Sequence, residues 1–168
     1  CCWKGQRPRE SGNKMNEQKN APSLPSVGVY KKDSLNLLEI LARVDLIYSS
    51  GRDGAVASYI GVARNTSREG KAVSYVEIEA YEENANLEIS KICRELADKY
   101  ELSNVGIWHL TGKFMPGEPI VLVLVAGRRR AAVLEGLKEA IERYKTEPAI
   151  FKKEVYPDGT HRWVEERH

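Results

Sequence analysis

Residues that make metal centres and covalent staples are scarce in this sequence. It has three cysteines, Cys1, Cys2 and Cys93. Two are adjacent and no Cys-x-x-Cys spacing occurs, which argues against both a disulfide framework and a structural zinc site. The histidines, His109, His161 and His168, are too dispersed to share a metal, so no metal is expected. No apolar run approaches the ~20 residues that a membrane-spanning helix needs. The N-terminus is polar and basic without the apolar segment of a secretion signal, so the expected compartment is the cytoplasm. Charge of one sign is also lacking. The 26 Lys and Arg against 24 Asp and Glu leave a net charge of +2, too little for a dedicated nucleic-acid binder, with room for a local basic pocket.

What remains is the composition of a soluble globular chain, with 42% hydrophobic and 30% charged residues. At 168 residues it can bury a core of its own as one domain. Residues 1–26 are rich in Lys, Arg, Asn, Ser and Pro without periodicity and read as a disordered tail. The domain is expected over 27–168.

Within it, Asp33 or Ser34 can cap a helix running to about residue 45, with Leu37, Leu38, Leu41 and Val44 on one face. Residues 55–63 read as a strand of small and β-branched residues, followed by a polar loop. Residues 72–81 alternate as a strand does, with Val76 and Ile78 on one side. An amphipathic helix is expected over 84–100, its buried stripe made by Ile89, Ile92, Cys93, Leu96 and Tyr100. Strands at 105–110 and 120–126 flank a Met115-Pro116-Gly117-Glu118 turn, and the second is apolar throughout, as in a strand covered on both faces. A helix over 130–144 follows, with Val133, Leu134, Leu137, Ile141 and Tyr144 facing the core, and Pro148 prevents its continuation. Residues 151–156 and 161–164 form a hairpin around Pro157-Asp158-Gly159. The fold class is α+β: two helices on a mainly antiparallel sheet.

Three places could carry chemistry. Gly127-Arg128-Arg129-Arg130 lies where a buried strand hands over to a helix N-terminus, whose partial positive charge disfavours arginines unless an anion is present. The turn reads either as a phosphate or carboxylate site or as an exposed basic turn whose arginine stems cover apolar surface. Lys145 follows the helix C-terminus, and Lys152 lies in the next strand beside Lys153 and Glu154. Each alone reads as a solvated lysine. Arg64 closes Gly61-Val62-Ala63-Arg64-Asn65, where small residues allow a ligand close to the backbone. These features suggest an anion pocket and name no reaction.

At these residues the chain resembles the large, catalytic subunits of molybdopterin synthases. The likeness is carried by Asp53-Gly54-Ala55-Val56, Gly61-Val62-Ala63-Arg64-Asn65, His109-Leu110-Thr111-Gly112 and Pro116-Gly117-Glu118. The most specific part is Lys145-Thr146-Glu147-Pro148-Ala149-Ile150-Phe151-Lys152-Lys153-Glu154, followed by Arg162-Trp163-Val164. The resemblance implies a hammerhead-like α/β domain with an added antiparallel subdomain. It implies a sulfurtransferase of molybdenum cofactor biosynthesis, which converts a cyclic pyranopterin monophosphate to molybdopterin by adding two dithiolene sulfurs. The sulfur would arrive as a thiocarboxylate on the C-terminal glycine of a small ubiquitin-like partner, so neither a cysteine nor a cofactor of its own is implied. The assembly implied is a homodimer with a small subunit at each outer end, a heterotetramer. By position Lys145 and Lys152 match the catalytic lysines. Substrate binding is implied for Val62, Ala63, Arg64, Arg129, Arg130, Lys145, Lys152, Lys153 and Glu154. Arg129 stands where many members have His, and Phe151 where many have Trp. The competing class is a non-enzymatic anion- or RNA-binding α+β module. It would need a wide basic face with aromatics, against which Glu135, Glu139 and Glu142 speak.

Overall fold

Nine consecutive uncharged residues form β5 (Pro119–Gly127), and burial on both faces follows from that composition. Successive side chains of a strand point to opposite faces. Val121, Val123 and Val125 therefore join one core, while Ile120, Leu122, Leu124 and Ala126 join another. The computed structural model describes residues 23–48 and 51–165. The tail expected over 1–26 lies outside these except for 23–26, as do Cys1, Cys2 and His168. Leu24 already packs on the second core and the Pro25 carbonyl accepts the Trp108 indole N–H at 3.0 Å, so packing starts ahead of Val27.

The elements are β1 (Gly28–Lys31), α1 (Leu37–Ala42), β2 (Ala55–Val62), β3 (Tyr75–Ala80), α2 (Glu82–Tyr100), β4 (Leu102–Phe114), β5, α3 (Arg130–Tyr144), β6 (Ile150–Val155) and β7 (His161–Val164). They build one sheet of order β2-β5-β4-β3-β6-β7, with β1 added to β4. All neighbours are antiparallel except β1 and β4, which run parallel with Gly28 opposite Trp108. The mixed helix and antiparallel sheet architecture is the α+β class expected. β4 is the hinge of the design: it pairs with β5 over Leu102–His109 and with β3 over Gly112–Phe114.

α2 presents Ala85, Ile89, Ile92, Cys93 and Leu96 to the first core. Full burial of one such aliphatic side chain contributes roughly 1.5–3 kcal/mol. α3 keeps its expected bounds and, with Val133, Leu137, Ile141 and Tyr144 on the first core, its expected face except at Leu134. Leu134 is 58% exposed, while Gly136 and Ala140 are buried beside Val133 and Tyr144. A Cβ on Gly136 would lie 2.7 Å from Leu102 Cδ1, so the missing side chain lets α3 approach the start of β4. Glycine here costs about 1 kcal/mol of helix propensity, which the closer packing offsets. α1 is shorter than expected. Asn36 rather than Asp33 or Ser34 caps it, its Oδ1 accepting from the Leu38 N–H at 3.0 Å, and Leu38 faces outward. β1 escapes the periodicity reading because its partner is distant in sequence. Its Val29 N–H donates to Asn86 Oδ1 of α2 at 2.8 Å.

Candidate active site

Five strands and the end of α3 converge on a cavity of about 110 Å³. Tyr59 and Gly61 come from β2, Ile120 and Val121 from β5, His109 from β4 and Ile78 from β3; Tyr144 and Lys145 end α3, and Ile150 and Lys152 lie on β6. Gly61 leaves the space, since a Cβ there would meet Val121 Cγ1 at 2.6 Å. The register then slips between Gly61 and Val62. Such a bulge re-aims the strand end.

The lysines are positioned by separate means. α3 is stopped before Pro148 and its last turn is clamped. Arg143 donates to Glu147 Oε1 at 2.6 Å and pairs with Glu95 of α2 at 2.5 Å. Those hydrogen bonds hold the Glu95 carboxyl below its ordinary range and push the guanidinium further up. Asn84 Oδ1 accepts from the Ala149 N–H at 3.0 Å, and the Tyr81 N–H donates to the Ala149 carbonyl at 2.9 Å, which tie the following loop to the start of α2. Lys145 caps α3 and reaches the cavity mouth. Lys152 sits on β6 opposite Ile78 and reaches it from the sheet.

Among the described residues that line the cavity there is no carboxylate. Two lysines lining one cavity whose described wall holds no acid make a setting that favours an anion. His109 forms the buried part of the wall. Its imidazole meets the Tyr144 ring edge-on, at 5.7 Å between centroids, and its Nδ1 lies 2.9 Å from the Leu110 carbonyl oxygen. Burial lowers its pKa from 6.5 to about 4, so it is neutral at pH 7. The sequence reading quoted His109 only as part of a motif. The available signal was a histidine inside an otherwise apolar strand.

The structure divides the other expected site residues among several places. Ala63 is buried and held by paired backbone bonds to Glu118 and Gly117, while Val62 and Arg64 face outward just beyond the cavity wall at Gly61. Lys153, opposite in parity to Lys152, pairs with Glu77 and lies over the Trp163 ring. Glu154 is buried, accepts from the Tyr156 hydroxyl at 3.4 Å, and lines a separate cavity of about 260 Å³ with Ser67, Arg68 and Arg162. Arg129 and Arg130 are at the other end of α3, and Arg129 pairs with Glu101 at 2.9 Å. Fifteen helical residues separate them from Lys145, ~22 Å at 1.5 Å per residue. One chain thus brings Lys145 and Lys152 together and keeps Arg129 and Arg130 away.

Among the described residues no cluster of His, Cys, Asp and Glu could hold a metal, and no helix is long and apolar enough to cross a membrane. The only described cysteine, Cys93, is buried, which pushes its thiol pKa up to about 12, where it is no nucleophile.

Residues 31–147 match the MoaE protein family. A molybdopterin synthase catalytic subunit of Dictyostelium discoideum is 35% identical over 137 residues, covering 77% of this chain and 86% of that one. The chain spans 54%, 58% and 56% of the rat, bovine and human relatives. The crystal structure of molybdopterin synthase from Staphylococcus aureus superimposes with a TM-score of 0.74 over 85% of this chain and 99% of that one, at 23% identity, which supports the fold. So does a protein–protein complex of subunits 1 and 2 of the molybdopterin-converting factor from Helicobacter pylori, with a TM-score of 0.64 over 84% and 89% of the two chains, at 18% identity.

Proposed function

The chain belongs to the MoaE family, and on that premise we propose that it is the catalytic subunit of a molybdopterin synthase whose sulfur-transfer site is the lysine-lined cavity. The observation that carries the assignment is the meeting of Lys145 and Lys152 in one cavity without a carboxylate. The substrate is a cyclic pyranopterin monophosphate, and the partner is a small ubiquitin-like subunit bearing a C-terminal thiocarboxylate; the Helicobacter pylori complex of two subunits supports there being a second subunit. The imported sulfur is the nucleophile, consistent with the inert Cys93. Lys145 and Lys152 stabilise the anionic thiocarboxylate and developing charge, and one of them moves the proton. The cytoplasm is the proposed compartment, and the protein needs no cofactor of its own.

The substrate's phosphate requires further cations, and the separation along α3 supports drawing them from a second copy. A two-fold homodimer, the core of a heterotetramer, sets one copy's Arg129 and Arg130 beside the other's Arg64, Lys145 and Lys152. Val62 and Ala63 then shape the cavity rim, while Lys153 and Glu154 act from the neighbouring strand face and cavity. The deciding experiment is reconstitution. The chain, a thiocarboxylated small subunit and the pyranopterin should together form the dithiolene, and each alone should not. Dithiolene formation without the small subunit, or none with it, refutes the assignment.

A further inference from the structure

The proposed sulfur transfer uses two lysines and leaves His109 without a task. We propose that His109 is a positioning residue, whose bare Nε2 accepts a hydrogen bond from the Lys145 ammonium when that side chain turns into the cavity, and so fixes where the lysine meets the incoming thiocarboxylate. The positioning rests on the proposed function for its purpose, and on the following geometry for its existence.

The tautomer follows from the neighbouring backbone. A carbonyl oxygen only accepts, so the 2.9 Å contact between Nδ1 and the Leu110 oxygen puts the ring proton on Nδ1 and the lone pair on Nε2. His109 is only 5% exposed. No buried side-chain nitrogen or oxygen among the described residues lacks a partner, and Nε2 has none within the described protein. Nε2 therefore opens onto the cavity that the ring lines.

The groups facing it are Tyr59 from β2, Tyr144 and Lys145 from α3 and its cap, and Lys152 from β6. None is an acid. Burial opposes an imidazolium more than the Leu110 carbonyl contact favours one, so the ring stays an acceptor across the neutral range. It is also the only side-chain nitrogen acceptor among the described lining residues. Lys145 follows Tyr144 directly, and the Tyr144 ring already touches the imidazole edge-on. Lys145 makes no ion pair or side-chain hydrogen bond among the described residues, so its ammonium has no competing partner there. The cavity is small, the share of a few water molecules. An ammonium entering it comes within reach of Nε2, directly or through one water. β4 is paired on both sides at this point, to Val121 of β5 and Val29 of β1, which makes the acceptor rigid.

The test has one arm that is independent of turnover. In the isolated protein, 15N shifts of the His109 ring should show a protonated Nδ1 and a bare Nε2 from about pH 5 to 9. A protonated Nε2 or an imidazolium in that range overturns the proposal. In the complex with the small subunit, the Lys145 ammonium is then titrated by its own 15N signal. H109L removes the acceptor and should lower the midpoint by about one pH unit, whereas H109Q offers a carboxamide oxygen near the Nε2 position and should restore it. An unchanged midpoint in H109L, or a lowered one in H109Q, overturns the proposal. Dithiolene formation should lose kcat in H109L with KM for the pterin unchanged, and recover in H109Q. If H109L does not fold, the tautomer and the H109Q titration decide. If the unmodified protein makes no dithiolene, the proposed function fails while the histidine–lysine contact is still judged by the spectra.

Discussion

The two ends of α3 hold cations in opposite settings. At the N-terminus, Arg129 lies at a helix end that disfavours positive charge and is answered by Glu101 at 2.9 Å, both side chains in solvent. At the C-terminus, Lys145 sits where the helix dipole favours a cation, and beside Lys152 in a cavity without a carboxylate. Counting basic residues would rank the arginine turn first. The placement of acids reverses that order, because Glu101 answers Arg129 whereas no carboxylate lines the cavity that Lys145 reaches.

The largest effect expected from this contrast is at the lysine end. Lys145→Ala should cut dithiolene formation by about two orders of magnitude or more. The melting temperature should barely move, since the side chain covers no core. Near-normal turnover would erase the distinction between the ends. Mixing a Lys145→Ala chain with an Arg130→Ala chain probes whether the ends meet across a dimer. With random exchange half the dimers are mixed and each has one intact site, so about a quarter of wild-type activity should return. Activity that stays at the parental level in confirmed mixed dimers means that the ends never cooperate.

A smaller effect concerns the wall between the lysines. The folded chain holds His109 near pKa 4, against 6.5 ordinarily. Between those values the unfolded chain binds a proton that the folded chain refuses, so His109 makes stability fall as pH drops from about 6.5 to about 4. The loss is about 3 kcal/mol. Urea denaturation of the wild type and H109Q at pH 7, 5 and 4 should show their difference shrinking by that amount; a constant difference contradicts a neutral buried imidazole. Least affected should be the arginine end. Glu101→Ala breaks an exposed pair and should change stability by less than about 0.5 kcal/mol. A larger loss would mean that this end is as tightly organised as the other.

Much of this molecule was readable where a local rule and its environment agree. α3 runs from Arg130 to Tyr144 as the period and Pro148 require, and β5 is doubly buried as its uniform apolar run requires. The core face of α3 departs from the expected one at Leu134, which hydrophobicity favours but which turns to solvent, while Gly136 packs closely on Leu102. β4 extends past its apolar stretch to Phe114 because backbone pairing with β3 continues through Gly112 and Lys113. In the site, the residue types at 145 and 152 were visible but their meeting was not. It depends on β6 returning beside β3, a pairing that no local pattern encodes. Strand parity separates Lys153 from Lys152, and a further step along β6 takes Glu154 to another cavity. His109 went unassigned because an imidazole among aliphatic residues looks like filling until the cavity beside it is known.

β1 has a consequence in time as well as in space. Gly28 pairs with Trp108, 108 − 28 = 80 residues later. As the chain is synthesised, β1 is ready long before its partner exists, and the intervening segment must be closed into a loop before the pairing yields anything. Val29 gains the shelter of the sheet only after β4 has formed, so a strand made early joins the fold late, and until then its backbone donors and acceptors are open to water or to another chain.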